Sequence, residues 1–216
     1  MQDCINSWSI ICPDYEVIEW NESNFNINQH PFLKYCYDNK KYAFLSDFAR
    51  LLIVYEHGGI YFDTDVELIK KPDDLLNFHA FFAFENNEYV ATGLGFGAKK
   101  NNNTLRMLIN SYLELKAEID GSYTLISCPE LNTKALLPLG LIKNGKKQTV
   151  GDAIILPADY MNPYDDPTGR LNVTENTISI HWYSKSWLSK SAIFRSKLTK
   201  PLHRIFGVDC FRWFKR

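Results

Sequence analysis

Asp63 and Asp65 stand one residue apart near the end of the run Gly58-Gly59-Ile60-Tyr61-Phe62-Asp63-Thr64-Asp65-Val66. In an extended segment, alternate side chains project to the same side, so the two carboxylates can grip one divalent cation directly or through water. Carboxylate oxygens select hard ions such as Mg²⁺ or Mn²⁺. Held by one or two carboxylates, such ions complete their shells with substrate phosphates, which points to a phosphate-bearing ligand. Thr64 between them should face away. An isolated Asp-x-Asp is more often a solvated turn, because Asp readily bonds its own backbone there.

The residues around the doublet argue for chemistry. From Tyr42 to His57, Phe44, Leu45, Phe48, Leu51, Leu52 and Tyr55 recur at three- and four-residue spacings, predicting an amphipathic helix. Gly58 suits the left-handed residue that ends such a helix, and Gly59 suits the turn. Ile60, Tyr61 and Phe62 then read as a buried strand with the carboxylates at its carboxyl end, where open α/β sheets bind ligands. Asp47 and Arg50 lie one helical turn apart on one face of the helix. At a solvated surface such a pair is worth only a few tenths of about 1 kcal/mol. On an otherwise apolar helix a plain solvated pair is less expected.

The runs Ser46-Asp47-Phe48-Ala49-Arg50 and Tyr55-Glu56-His57-Gly58-Gly59-Ile60-Tyr61-Phe62-Asp63-Thr64-Asp65-Val66 together resemble the signature of the sugar-transferase family containing the Asp-x-Asp motif. That family includes capsular polysaccharide synthesis proteins and yeast initiating α-1,6-mannosyltransferases. The resemblance implies an α/β fold of GT-A type, a Rossmann-like nucleotide-sugar-binding sheet with flanking helices. It also implies a nucleotide-sugar donor, a glycan or lipid-linked acceptor, Mn²⁺ or Mg²⁺, and retention of anomeric configuration. Matched by position, Asp47 and Arg50 contact the donor sugar, Tyr61 and Asp63 belong to the donor site, and Asp63 and Asp65 hold the metal. Asp65 is then the more direct ligand, and Asp63 mainly meets ribose and metal-bound water. The chemistry fits: a carboxylate accepts from vicinal hydroxyls, and a guanidinium donates to sugar or phosphate oxygens.

A doublet leaves most of a coordination sphere open, so a further ligand is expected late in the chain. His181 closes the apolar strand pattern Thr177-Ile178-Ser179-Ile180, and its imidazole can bind Mn²⁺ or donate to a phosphate. The string from His181 to Trp187 resembles the family's C-terminal His followed by Ser-Trp. By that likeness Ser186 bonds the diphosphate and Trp187 covers it. Lone histidines near strand ends are otherwise mostly structural.

The middle of the chain reads as an acceptor side. Phe81-Phe82-Ala83-Phe84-Glu85 predicts a strand ending in a carboxylate, and Gly93, Gly95 and Gly97 permit close backbone approach to a ligand or mark a bulged strand. Asn101 or Asn103 is expected to cap a helix bearing Leu105, Leu108, Ile109, Tyr112 and Leu115 on one face. Cys128-Pro129-Glu130-Leu131-Asn132-Thr133 resembles the family's Gly-Pro-x-x-x-Thr helix opening, with Cys where Gly is preferred. At the N-terminus the family's usual first strand is missing, and Cys12 to Asn21 resembles its second. Glu85 and Asp152 could lie near an acceptor, but neither stands out as a general base.

At 216 residues and 45% apolar composition the chain can bury one full core, and no linker divides it. The expected organisation is a catalytic domain over 1–184 and a tail over 185–216. The tail holds nine Lys or Arg against Asp209 alone, a charge of +8, leaving −9 for residues 1–184. Interleaved aromatics and aliphatics make it a candidate for an anionic membrane surface or, equally, a packed helix with a solvated basic face. Nucleic acid is not an expected partner, since the rest of the chain is acidic. No signal pattern and no apolar run of about 18 residues is present, and five cysteines lack a C-x-x-C pair. A cytoplasmic hexosyltransferase, peripheral at most to the inner membrane face, is therefore expected, with bacterial surface polysaccharide as the role the resemblance implies. Two alternatives stay open. One is a haloacid-dehalogenase-type phosphohydrolase using Asp63 as nucleophile and Asp165-Asp166 as its later acidic pair; the other is a non-catalytic relic.

Overall fold

The computed structural model describes residues 1–184 and 189–210. Its elements in chain order are α1 (Gln2–Ile11), α2 (Pro31–Asp38), α3 (Tyr42–His57), β1 (Gly59–Tyr61), β2 (Val66–Leu68), β3 (Ala80–Phe84), β4 (Val90–Ala91) and β5 (Phe96–Ala98). There follow α4 (Asn103–Leu113), α5 (Cys128–Leu136), β6 (Gln148–Val150), β7 (Ala153–Leu156), β8 (Tyr164–Asp165), β9 (Arg170–Leu171), β10 (Ser179–His181) and α6 (Lys190–Phe206).

The main sheet runs β1-β5-β3-β7-β6, with β4 also on β3; β2 and β10 form a separate ribbon, as do β8 and β9. β3 and β7 pair in parallel, while the other strands pair antiparallel. The architecture is thus mixed α/β, as expected, although it carries less parallel pairing than a Rossmann-like sheet implies. Every residue of β3 is buried. Phe82 and Phe84 point into a core made with α2, α3, α4 and α5, and Phe81 and Ala83 point into a second core against Leu68, Leu75, Ile154, Met161 and Ile178. A continuous apolar run is what a strand covered on both faces requires.

Helix α3 forms where the spacing predicts it. It buries Phe48, Leu51, Ile53 and Val54, and Phe48 stacks on Tyr112 of α4 with ring centroids 4.9 Å apart. Gly58 ends it with φ +75 and ψ −176, so its φ is positive as expected but its ψ is extended. The next residue, Gly59, also has positive φ, at +106, and a side chain at either position would strain the backbone.

Several expectations are corrected. Ile60-Tyr61-Phe62 is not a buried core strand: β1 ends at Tyr61, pairs only with β5 and lies half-exposed at the sheet edge. Cys12 to Asn21 forms no strand, because no described strand pairs with it. The N-terminus instead forms α1, whose side chains occupy the free edge of β2. There the Leu68 amide donates to Ser7 Oγ at 2.8 Å, and Trp8 Nε1 donates to the Val66 carbonyl at 2.8 Å. An exposed ladder edge is satisfied that way without another strand. The cap of α4 is Asn102, which accepts from the Leu105 amide at 2.8 Å, rather than either neighbouring Asn.

The Gly93-Gly95-Gly97 segment is the bulged alternative. β4 and β5 lie along the same edge of β3, but their registers differ by four residues, so Thr92 to Gly95 leave the ladder. Helix α5 holds the excursion. Thr133 Oγ1 accepts from the Val90 amide at 2.9 Å, and Asn132 donates to both Thr92 Oγ1 and Cys128 Sγ at 3.1 Å. Cys128 therefore packs against the bulge. All five cysteines are free thiols.

Candidate functional site

The Asp-x-Asp lies in a turn. The Val66 amide donates to the Asp63 carbonyl at 2.9 Å between β1 and β2, so the extended geometry assumed for the doublet is corrected. Thr64, at the tip, is exposed. The antiparallel ribbon then does what local spacing cannot. Val66 of β2 faces His181 of β10, and the Trp182 amide continues the pairing to the Asp65 carbonyl at 3.0 Å. Among the described residues, Asp63, Asp65 and His181 are the one group of three acidic, Cys or His side chains whose ligand atoms fall within 4.8 Å of each other.

Asp65 is held from the late part of the chain. Its Oδ1 lies 3.2 Å from His181 Nε2, and its Oδ2 accepts from the Ser184 amide at 2.7 Å. Burial alone would raise the Asp65 carboxyl, but the contacts from His181 and Ser184 outweigh it and hold the group well below the usual carboxylate range. His181 Nδ1 is buried without a hydrogen-bond partner, and the ring packs on Tyr183 with centroids 4.1 Å apart.

Asp63 is held from the early part. Its Oδ1 accepts from Arg50 Nη1 at 2.9 Å and from the Tyr61 hydroxyl at 2.8 Å. Arg50, only 3% exposed, also pairs with Asp47, so a buried guanidinium is set between two carboxylates. The solvated-pair reading of Asp47 and Arg50 is excluded by that burial. Burial opposes the charged Arg50, but the Asp63 carboxylate and the weaker favourable charges around it together outweigh that, and the net push is upward. At Tyr61 burial first and the Asp63 charge second push the hydroxyl well up, against an opposing pull from Arg50. Of the two readings of Gly93, ligand approach or a bulge, the bulge holds, and its close neighbours are the protein's own. A Cβ there would lie 2.8 Å from Asp63 Oδ2 and 3.3 Å from Arg50 Nη1. The bulge thus seats the carboxylate.

Ser186 and Trp187 lie outside the described residues. Glu85 sits near the triad through Tyr183, whose hydroxyl donates to its Oε1 at 3.1 Å. Asp152 is structural, accepting from the Thr104 amide at 3.1 Å at the start of α4. Tyr183 was not picked out by sequence, because only the fold brings it to Glu85. Asp165 and Asp166 lie on or beside the β8–β9 hairpin, with Asp165 bonded to Thr168 and Asp166 paired to Lys200 at 3.0 Å. They do not join Asp63 and Asp65 as a phosphohydrolase would require.

Residues 1–82 match the family model described as a glycosyltransferase sugar-binding region containing a DXD motif. The matched stretch carries Asp47, Arg50, Tyr61, Asp63 and Asp65, and stops inside β3. Inositol phosphoceramide mannosyltransferase 3 of Schizosaccharomyces pombe is 34% identical over 73 residues, which cover 32% of this chain. The alignment spans 20% of that relative's own length. Both comparisons support a glycosyltransferase, and the mixed α/β architecture is consistent with a GT-A-like domain.

Proposed function

We propose that the chain is a metal-dependent, retaining glycosyltransferase that moves a hexose from a nucleotide-sugar donor to a glycan or lipid-linked acceptor. The convergence of Asp63, Asp65 and His181 carries the reading. Two carboxylates and an imidazole suit Mn²⁺, with Mg²⁺ the harder alternative, and the partnerless Nδ1 leaves His181 without a competing protein bond at that nitrogen. When bound, the ion supplies positive charge against the departing diphosphate.

The remaining work falls to the chain's own residues. Asp65 and His181 hold the ion. Asp63 is clamped through one oxygen by Arg50 and Tyr61, and its other oxygen lies beside Gly93. Asp47 and Arg50 orient the donor sugar, as the family likeness suggests, and Ser186 and Trp187 belong with the diphosphate on the same ground. Domain 1–184 is the catalytic unit.

The tail is the membrane contact, in keeping with a role in bacterial surface polysaccharide assembly at the inner face of the membrane. Helix α6 is held by one face, where Lys200 Nζ reaches the Tyr164 hydroxyl at 2.7 Å and Arg170 donates to the Arg204 carbonyl at 3.1 Å. Phe194, Leu198, Leu202, Ile205 and Phe206 are exposed at helical spacing, with Arg195 and Arg204 also exposed. Apolar anchors among cations suit an anionic lipid surface. No described helix is long and apolar enough to cross a membrane.

The test is release of sugar from UDP-glucose, UDP-galactose and GDP-mannose with and without Mn²⁺. Manganese-dependent release, lost in Asp65→Ala, is expected; metal binding without turnover of any donor would favour the relic, and turnover of simple phosphate esters the phosphohydrolase.

A further inference from the structure

Beside the triad, on the far side of Tyr183, lies a cavity of about 560 Å³. Its size falls within the range of small-ligand clefts, about 300–1,000 Å³. Glu85, Asn86, Asn162, Tyr164, Asp166 and Tyr183 are among the groups that line it. Tyr183 links the two places: its ring packs on His181, and its hydroxyl reaches Glu85. Its backbone is held at φ +50, uncommon for a bulky residue.

The lining decides what can enter. Asp166 is paired to Lys200, but Glu85, Asp159 and Asp165 bring further negative charge to the same walls. A nucleoside diphosphate would be repelled there. Carboxylates and side-chain amides instead accept from and donate to vicinal hydroxyls. Tyr164, tilted against Trp182 with centroids 5.1 Å apart, gives an aromatic wall for the C–H face of a ring. The groups fit a neutral polyol.

Resting on the glycosyltransferase reading, we infer that this cavity is the acceptor subsite, binding an uncharged sugar whose reacting hydroxyl is directed past Tyr183 toward the Asp63–Asp65–His181 cluster. Tyr183 and Glu85 are then positioning residues for the acceptor. The donor is excluded from the cavity by charge.

Saturation-transfer NMR with methyl α-mannoside, methyl β-galactoside and N-acetylglucosamine tests it, read beside the thermal shift that Mn²⁺ with UDP or GDP gives. The variants are Asn172→Trp, which fills the cavity from an exposed lining position, and Glu85→Gln, which keeps side-chain volume. At least one sugar should give transfer signals in the native chain, reduced at least fivefold in both variants, with the nucleotide shift retained. Signals unchanged in both variants, or absent for all three sugars in a chain that still binds Mn²⁺ and nucleotide, would overturn the acceptor subsite and leave the transferase reading standing. A native chain with no nucleotide shift but sugar signals lost in Asn172→Trp would keep the cavity as a sugar site and remove the transferase.

Discussion

The two halves of the candidate site are built by different means. Asp47, Arg50, Tyr61 and Asp63 come from α3, β1 and the turn after it, within seventeen consecutive residues, and they hold one another through Arg50. His181, the Ser184 amide and Tyr183 arrive from more than a hundred residues away, and what delivers them is the β2–β10 register. Asp65 stands at the joint. The early half is a rigid electrostatic clamp whose members are mutually compensated, whereas the late half offers a buried imidazole nitrogen without a partner. The first should therefore govern stability and the second metal affinity.

That contrast can be broken in order of effect. Asp65→Ala removes the carboxylate that lies near Asp63 and is held by His181 and Ser184, and donor turnover should fall by roughly 100- to 1,000-fold, the loss typical when one electrostatic stabiliser is deleted. Steady-state rates on nucleotide sugars at saturating Mn²⁺ check this. Arg50→Met leaves the half-buried Asp47 and Asp63 carboxylates without their shared cation. Urea unfolding should show a loss of about 3–5 kcal/mol, as for other broken buried pairs. A loss under about 1 kcal/mol would mean the clamp carries little.

Gly93→Ala sharpens the boundary between the halves, because its new methyl would press on Asp63 Oδ2 rather than on the core. Apparent Mn²⁺ affinity should weaken about tenfold, the lower end of the range for disturbed supporting contacts. Thermal stability should move less than in Arg50→Met. Tyr61→Phe is the smallest change: it removes one of two donors to Asp63 Oδ1 and should cost about 1 kcal/mol in the same urea titration.

The same division explains what could be read in the sequence. Helix α3, its glycine stop and strand β3 were legible, since each depends on near neighbours and on periodicity. The turn geometry of the doublet was not, because an i, i+2 spacing looks alike in a strand and in a turn. β1 was read as buried since its residues are apolar, but burial depends on how many strands pair with it. The N-terminal helix escaped because its apolar pattern is weak and its main duty, covering β2 with Ser7 and Trp8, is a contact across about sixty residues. Gly93 was legible as a bulge or a place of close approach, but that Asp63 and Arg50 are what approach it depends on the fold. His181 was reached by family likeness; only pairing of the ribbon accounts for its meeting with Asp65.

The central claim is that one cation is shared by an early turn and a late strand. Electron paramagnetic resonance of Mn²⁺, titrated in the presence of UDP and separately of GDP, measures it in the native chain, Asp65→Ala and His181→Ala. The account predicts one bound Mn²⁺ per chain, weakened about tenfold or more by each substitution. Equal Mn²⁺ affinity in all three proteins, each shown to be folded, would contradict it.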